Sequence, residues 1–121
     1  MTLDTNIIIT LLKNEASLVK WFQQLQRDQV IFISSITRAE LLSESKSTAR
    51  QLARIARFLN SFHSVPLDDK IADHVASLRR AYSKLHVPDA AVAATAIIMG
   101  TPLASRDKVF RKIKELDLIV P

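Results

Sequence analysis

The sequence predicts an α/β fold in which a parallel β-sheet lies between layers of helices. Short β-type runs alternate with longer helical patterns along the chain, as in βαβ units. Residues 30–33 are apolar throughout, which is typical of a strand covered on both faces. Residues 90–99 are alanine-rich and nearly apolar, which predicts a buried helix. No repeat or linker interrupts the 121 residues, so we expect one domain, 1–121.

Five strands and the helices between them follow from local patterns. Leu18, Val19, Phe22 and Leu25 share one helical face. Gly100 suits the C-cap of the buried helix, which we expect to begin at Pro88. The predicted strands are 1–3, 30–33, 64–66, 101–104 and 118–120. Two of the predicted helices begin near residue 6 and near residues 35–37. The other predicted helices cover about 18–25, 48–62, 68–86, 88–99 and 108–116.

Composition limits the classes of function. The chain has no cysteine, which excludes disulfides, thiolate zinc sites and cysteine nucleophiles. No apolar run approaches the roughly 20 residues of a membrane span, and no secretory signal is visible, so we expect a cytoplasmic protein without membrane contact. The net charge of +5 is compatible with a polyanionic partner, but solubility alone explains it equally well.

Several common catalytic patterns are missing. His63, His74 and His86 lack the spacing of a zinc site. Gly100 is the single glycine, which excludes a glycine-rich phosphate loop, so no nucleotide cofactor is predicted. No Gly-x-Ser-x-Gly motif marks a serine hydrolase.

Four acidic residues, taken singly, have structural explanations. Asp4 and Asp107 occupy positions suited to helix capping. Glu40 follows Thr37 at the spacing of a capping box. Asp89 comes directly after Pro88, where the helix dipole favours a carboxylate.

Together the same four acids indicate a metal site. Three of them lie just beyond a predicted strand, and the fourth begins the buried helix. In a parallel sheet these places meet at one edge, where such folds bind ligands. Clustered carboxylates raise one another's pKa values unless a cation lies among them. Mg²⁺ or Mn²⁺ suits such oxygen ligands and is commonly held together with substrate phosphates.

Four segments resemble, in order and spacing, the signature segments of PIN domains, and most resemble the VapC-type ribonuclease toxins of type II (VapBC) toxin–antitoxin systems. They are Leu3-Asp4-Thr5-Asn6, Ser34-Ser35-Ile36-Thr37-Arg38-Ala39-Glu40-Leu41, Val87-Pro88-Asp89-Ala90-Ala91-Val92-Ala93-Ala94-Thr95-Ala96 and Leu103-Ala104-Ser105-Arg106-Asp107-Lys108-Val109-Phe110. The resemblance covers essentially the whole chain.

The resemblance implies a three-layer α/β/α fold with strand order 3-2-1-4-5 and an endoribonuclease that uses Mg²⁺ or Mn²⁺. It implies tRNA, rRNA or mRNA as substrate and products with 5′-phosphate and 3′-hydroxyl ends. Val109 stands where many relatives carry a further acid, so a second metal ion has less support. The implied catalytic and metal-binding residues are Asp4, Glu40, Asp89 and Asp107, with Thr5, Asn6 and Ser105 as polar support.

Two protein partners are expected. The resemblance implies a VapB-type antitoxin, and we expect it to lay apolar residues in a groove and to extend Arg or Lys toward the acids. It also implies a homodimer, which Trp21 and Phe22 favour if one small domain leaves them partly exposed.

Basic residues offer candidate RNA contacts. A solvated helix face explains them about as well as phosphate binding does. They are Arg38, Arg50, Arg54, Arg57, Arg106 and Lys108, with Arg111, Lys112 and Lys114 nearby. The alternative function is a PIN scaffold that binds RNA or a protein without cutting, and Val109 is its only support in the sequence.

Overall fold

The computed structural model describes residues 1–121 and contains one parallel sheet with strand order β3-β2-β1-β4-β5. Thr2 of the central strand pairs with Phe32 on one side and with Leu103 on the other. The predicted fold class and strand order are confirmed. The strands are β1 (Thr2–Leu3), β2 (Phe32–Ser34), β3 (His63–Val65), β4 (Leu103–Ala104) and β5 (Leu118–Ile119).

Six α-helices and one 3₁₀ helix cover the sheet. Pro88 lies in the first turn of the sixth helix, and Gly100 ends it with a φ of 67°. None of the helices is both long enough and apolar enough to cross a bilayer. The helices are α1 (Thr5–Leu12), α2 (Ala16–Asp28), α3 (Ser35–Leu42), α4 (Ala49–Asn60), α5 (Asp69–Ala81), α6 (Val87–Met99) and the 3₁₀ helix Lys108–Lys112.

The core consists of two hydrophobic clusters. Leu103 belongs to one and its neighbour Ala104 to the other, because successive side chains of a strand point to opposite faces of the sheet. The Ala104 cluster includes buried residues of α1, α2 and α4, and the Leu103 cluster includes those of α5 and α6. Residues 90–96 of α6 are all buried, so the prediction of a buried helix is confirmed there.

The second strand begins two residues later than predicted. Val30 is 52% exposed and precedes β2, whereas Ile31 and Ile33 are buried. The register explains this difference, because Thr2 at the start of β1 pairs with Phe32 and leaves Val30 without a neighbouring strand. The Val30 carbonyl instead accepts a hydrogen bond from the Met1 ammonium at 3.1 Å.

Two helices are shorter than predicted. Helix α5 ends at Ala81, and Leu85 reaches the core from the following turn, where its carbonyl accepts a bond from Arg79 Nε. The pattern at 108–116 gives only the 3₁₀ helix Lys108–Lys112. Its end places Ile113 in the core with an extended backbone, and 3₁₀ helices are short in any case.

Phe22 is buried, contrary to the expectation that it is partly exposed. It is 5% exposed, and its ring packs edge-on against Phe58 and Phe62, with centroids 6.0 and 5.8 Å away. This aromatic group joins α2 to α4 in the core. Trp21 is partly buried, and the homodimer stays a prediction without the support of Phe22.

Candidate active site

One edge of the sheet carries the four acids. Asp4 follows β1 and occupies the N-cap of α1, and Asp107 follows β4. Asp89 lies in the first turn of α6, and Glu40 lies in the second turn of α3. The charges of Asp107 and Glu40 raise the pKa of Asp89. The charges of Asp89 and Asp107 raise the pKa of Asp4, so the four acids lie near one another.

Asp4 is buried and held on both oxygens. It is 5% exposed, Oδ1 accepts the Thr5 amide at 2.8 Å, and Oδ2 accepts the Ser105 hydroxyl at 2.7 Å. Its own amide donates to the carbonyl of Ala104 in the neighbouring strand at 3.0 Å. Asp4 therefore caps α1 with one oxygen, as its position predicts, and its other oxygen accepts the hydrogen bond from Ser105.

Ser105 connects the first and fourth acids. It is fully buried, donates to Asp4, and accepts the Asp107 amide at 3.0 Å. The Asn6 amide nitrogen lies 3.5 Å from the same hydroxyl oxygen. A hydroxyl has one proton and two lone pairs, so these three contacts use it fully.

Glu40 does not form the capping box that its spacing suggests. Helix α3 begins earlier, with Ser34 as its N-cap, so Glu40 is too far into the helix. The Glu40 carboxylate instead accepts the Thr5 hydroxyl at 3.0 Å, and the same hydroxyl lies 3.2 Å from Thr37 Oγ1. Thr37 is buried, and this contact joins α3 to α1. The sequence indicates only a capping role for Thr37 and does not predict this contact.

Asp89 and Asp107 retain free oxygens. Asp107 caps the 3₁₀ helix as expected, since its Oδ1 accepts the Val109 amide at 3.0 Å. Asp107 is exposed and Asp89 is half-buried. Both can therefore bind a group that enters from solvent.

The acids raise one another's proton affinity. Burial raises the pKa of Asp4 to about 6, hydrogen bonds from Ser105 and Thr5 oppose this, and the charges of Asp89 and Asp107 add to it. The pKa of Asp89 is raised by burial and then by Asp107 and Glu40. No Lys or Arg forms a salt bridge with any of the four, because the one salt bridge of the chain joins Arg106 to Glu15.

The donor set fits a hard divalent cation in an open site. Asn6 Oδ1 is buried without a hydrogen-bond partner, while the amide nitrogen of the same side chain contacts Ser105, so one more polar oxygen of this residue is left to be satisfied. No three Asp, Glu or His side chains are placed to hold one metal ion together. Mg²⁺ suits this arrangement, because it keeps several waters and takes few protein ligands.

The predicted basic contacts differ in their availability. Arg38 donates to Asn60 at 2.9 Å, and Arg54 donates to the Leu12 carbonyl at 3.2 Å. Arg106 is bound to Glu15, a partner 91 residues away that no local pattern indicates. Arg50, Arg57 and Lys108 are exposed.

The sequence pattern of the PIN domain family matches residues 1–116, so the chain belongs to the PIN-domain family. Within that family, it resembles solved toxin–antitoxin proteins over nearly its whole length, as predicted. Comparison with curated proteins gave no match.

Three solved structures illustrate the similarity. A toxin–antitoxin complex from Klebsiella pneumoniae is 29% identical, with a TM-score of 0.84 over 99% of this chain and 96% of that one. VapBC2 from Rickettsia felis, bound to a DNA fragment from their promoter, is 25% identical, with a TM-score of 0.86 over 98% and 96%. VapBC-1 from nontypeable Haemophilus influenzae is 25% identical, with a TM-score of 0.83 over 98% and 95%.

Proposed function

We propose that this chain is a Mg²⁺- or Mn²⁺-dependent endoribonuclease and the toxin of a type II toxin–antitoxin pair. The observation that carries the proposal is the group of four acids at the sheet edge, none of which forms a salt bridge with a Lys or Arg. PIN-domain toxins of the VapC type are in general nucleases, and PIN nucleases generally use divalent metal ions.

Each polar residue of the edge has a distinct task in this proposal. Asp4 is the fixed ligand, because Thr5 and Ser105 hold both of its oxygens. Asp89, Asp107 and Glu40 supply further negative charge, and Asn6 Oδ1 supplies a neutral oxygen. Together these residues would hold a divalent cation, whose chemistry would be to polarise a phosphoryl group and to lower the pKa of a bound water so that hydroxide is available near neutral pH. The exposed Arg50, Arg57 and Lys108 are available to RNA phosphates.

Turnover on RNA tests the proposal. We expect the purified chain to cleave total RNA with many turnovers in Mg²⁺ or Mn²⁺, to leave 5′-phosphate ends, and to stop in EDTA. Preparations of the Asp4→Asn variant, purified in parallel, exclude a contaminating nuclease. Binding of RNA without turnover would favour the non-cleaving scaffold instead.

A groove beside the candidate site supports an antitoxin partner. The groove has a volume of about 540 Å³ and lies between α1, α3 and α4. Its apolar lining is Ile9, Leu12, Leu41 and Ile55, and Glu40 and Glu44 lie on its wall. A segment with apolar residues in the groove and an Arg near Glu40 would compete for the carboxylates, because a guanidinium pairs well with them.

We expect a small protein encoded beside this chain to inhibit cleavage, and to do so less at higher Mg²⁺. Ile9 is 38% exposed and lines the groove, so Ile9→Lys should raise the inhibitor concentration needed about tenfold without unfolding the chain. Val30→Lys is the matched control, since Val30 is 52% exposed outside this groove. Binding of the neighbour without loss of activity, or no binding at all, would refute the toxin assignment and leave the nuclease assignment standing.

A further inference from the structure

Arg106 lies between Ser105 and Asp107 and makes three hydrogen bonds away from the acids. Its Nη1 and Nη2 donate to Glu15 Oε2 and Oε1 at 3.1 and 3.0 Å, which is the two-pronged geometry of the strongest Arg–carboxylate pairs. Its Nε donates to the Pro121 carbonyl at 2.8 Å. A guanidinium has five N–H groups, and these bonds use three of them, one on each nitrogen.

Glu15 is also committed to this contact. It occupies the N-cap position of α2, where a side chain commonly accepts a hydrogen bond from the first turn, but it caps nothing. Both of its oxygens face Arg106, and Oε1 also accepts the Ser17 hydroxyl at 3.1 Å. Its pKa is lowered, chiefly by the hydrogen bonds from Arg106.

The contact joins three separate parts of the chain at the loop formed by residues 105–107. It links the turn before α2, the loop after β4 and the segment that follows the edge strand β5. Inside the fold, the same loop is held by the Ser105 amide, which donates to Ile119, and by the Asp107 amide, which donates to Ser105 Oγ. The outward side of the loop is held by Arg106.

We propose that Arg106 is a positioning residue and that its pairing with Glu15 fixes the 105–107 loop so that Asp107 faces Asp4 and Asp89. A basic residue beside a nuclease site would ordinarily be taken for a phosphate contact, but all three nitrogens of Arg106 bond to Glu15 or Pro121, which argues against that role. The inference rests on the proposed function in one respect, namely that Asp107 helps to hold the cation.

Loss of the pair should therefore weaken cation binding and leave RNA binding unchanged. We expect Arg106→Ala and Glu15→Ala each to raise the Mn²⁺ dissociation constant about tenfold, the lower limit for groups that orient metal ligands. The double variant should be no worse than either single variant, because the two residues act as one unit. Arg106→Lys should fail to restore binding, since an ammonium cannot form the fork. The pair is exposed, so global stability should change little.

Three readouts on the full chain test the inference. These are Mn²⁺ affinity by electron paramagnetic resonance, KM and kcat for RNA across salt concentrations, and hydrogen exchange of the Asp107 and Val109 amides without metal. Arg80→Ala and Asp73→Ala on α5 are the matched controls, because both residues are exposed. We expect weaker Mn²⁺ binding, faster amide exchange and an unchanged KM in both Arg106→Ala and Glu15→Ala.

A phosphate-binding role for Arg106 gives a different result. Arg106→Ala would then raise KM and flatten its salt dependence, whereas Glu15→Ala would not, and this outcome would overturn the inference. Unchanged amide exchange in both variants would overturn it too. If the wild-type chain binds Mn²⁺ without cutting RNA, the proposed function fails. The Mn²⁺ affinities of Arg106→Ala and Glu15→Ala then still test whether the pair positions Asp107. If it neither binds Mn²⁺ nor cuts, amide exchange alone decides.

Discussion

Asp4→Asn is expected to reduce RNA cleavage by about 1000-fold or more while the fold stays intact, as for a group that acts as one unit with its catalytic partners. Asparagine has the shape of aspartate, and its carbonyl oxygen can still accept the Thr5 amide. It lacks the negative charge that holds a cation. Asp89→Asn should have a similar effect, since Asp89 lies within the same group of charges.

Initial rates at saturating Mg²⁺ measure the effect, and circular dichroism verifies the fold. Asp117→Asn is a matched control, because Asp117 is exposed and immediately precedes β5, at the opposite edge of the sheet from the acids. It should cleave RNA at the wild-type rate. Full metal-dependent activity in both Asp4→Asn and Asp89→Asn would show that the acids were assigned wrongly.

The second large effect concerns stability, because Asp4→Asn should remove the cost of burying the Asp4 charge, up to about 3 kcal/mol at neutral pH in the metal-free protein, against a loss of the Ser105 hydrogen bond that does not depend on pH. The pKa of Asp4 is raised from 3.8 to about 6 in the folded chain. The folded state therefore binds this proton more tightly than the unfolded state, and the stabilisation is fully present below about pH 4. It is lost as the pH rises through about 6, and two pKa units correspond to about 3 kcal/mol.

Urea unfolding in EDTA at pH 4.5 and pH 7.5 measures this effect. The difference in unfolding free energy between wild type and Asp4→Asn isolates the residue, since other titrating groups are common to both proteins. We expect the advantage of the variant to grow from pH 4.5 to pH 7.5, and saturating Mg²⁺ to stabilise only the wild type. An advantage that shrinks as the pH rises would contradict the raised pKa.

The convergence of the acids could be predicted because it depends on chain order alone. Asp4 and Asp107 follow strands, and Asp89 begins a helix, so a parallel sheet places all three at one edge. Local patterns do not determine which strands are neighbours in the sheet. The predicted strand order rests on the resemblance to PIN domains. The sequence also cannot show whether an acid caps a helix or binds a metal ion, because one residue can do both. Asp107 caps the 3₁₀ helix with one oxygen, and its other oxygen is free.

Contacts between distant segments could not be predicted in this way. Glu15 and Arg106 are separated by 91 residues, and each alone is an ordinary surface charge. Leu85 follows the helical spacing of α5 but reaches the core from outside that helix, because apolar periodicity does not mark where a helix ends. Val30 is apolar and β-branched, as residues of a buried strand commonly are. The pairing of Thr2 with Phe32 leaves Val30 outside β2.

If the acids at the sheet edge hold a divalent cation, anomalous diffraction from crystals soaked in Mn²⁺ should locate it. We expect a Mn²⁺ peak in contact with the Asp4 carboxylate and with at least one of Asp89 and Asp107, and no peak there in Asp4→Asn crystals. A wild-type crystal with no Mn²⁺ at Asp4, at a concentration that supports cleavage in solution, would contradict it.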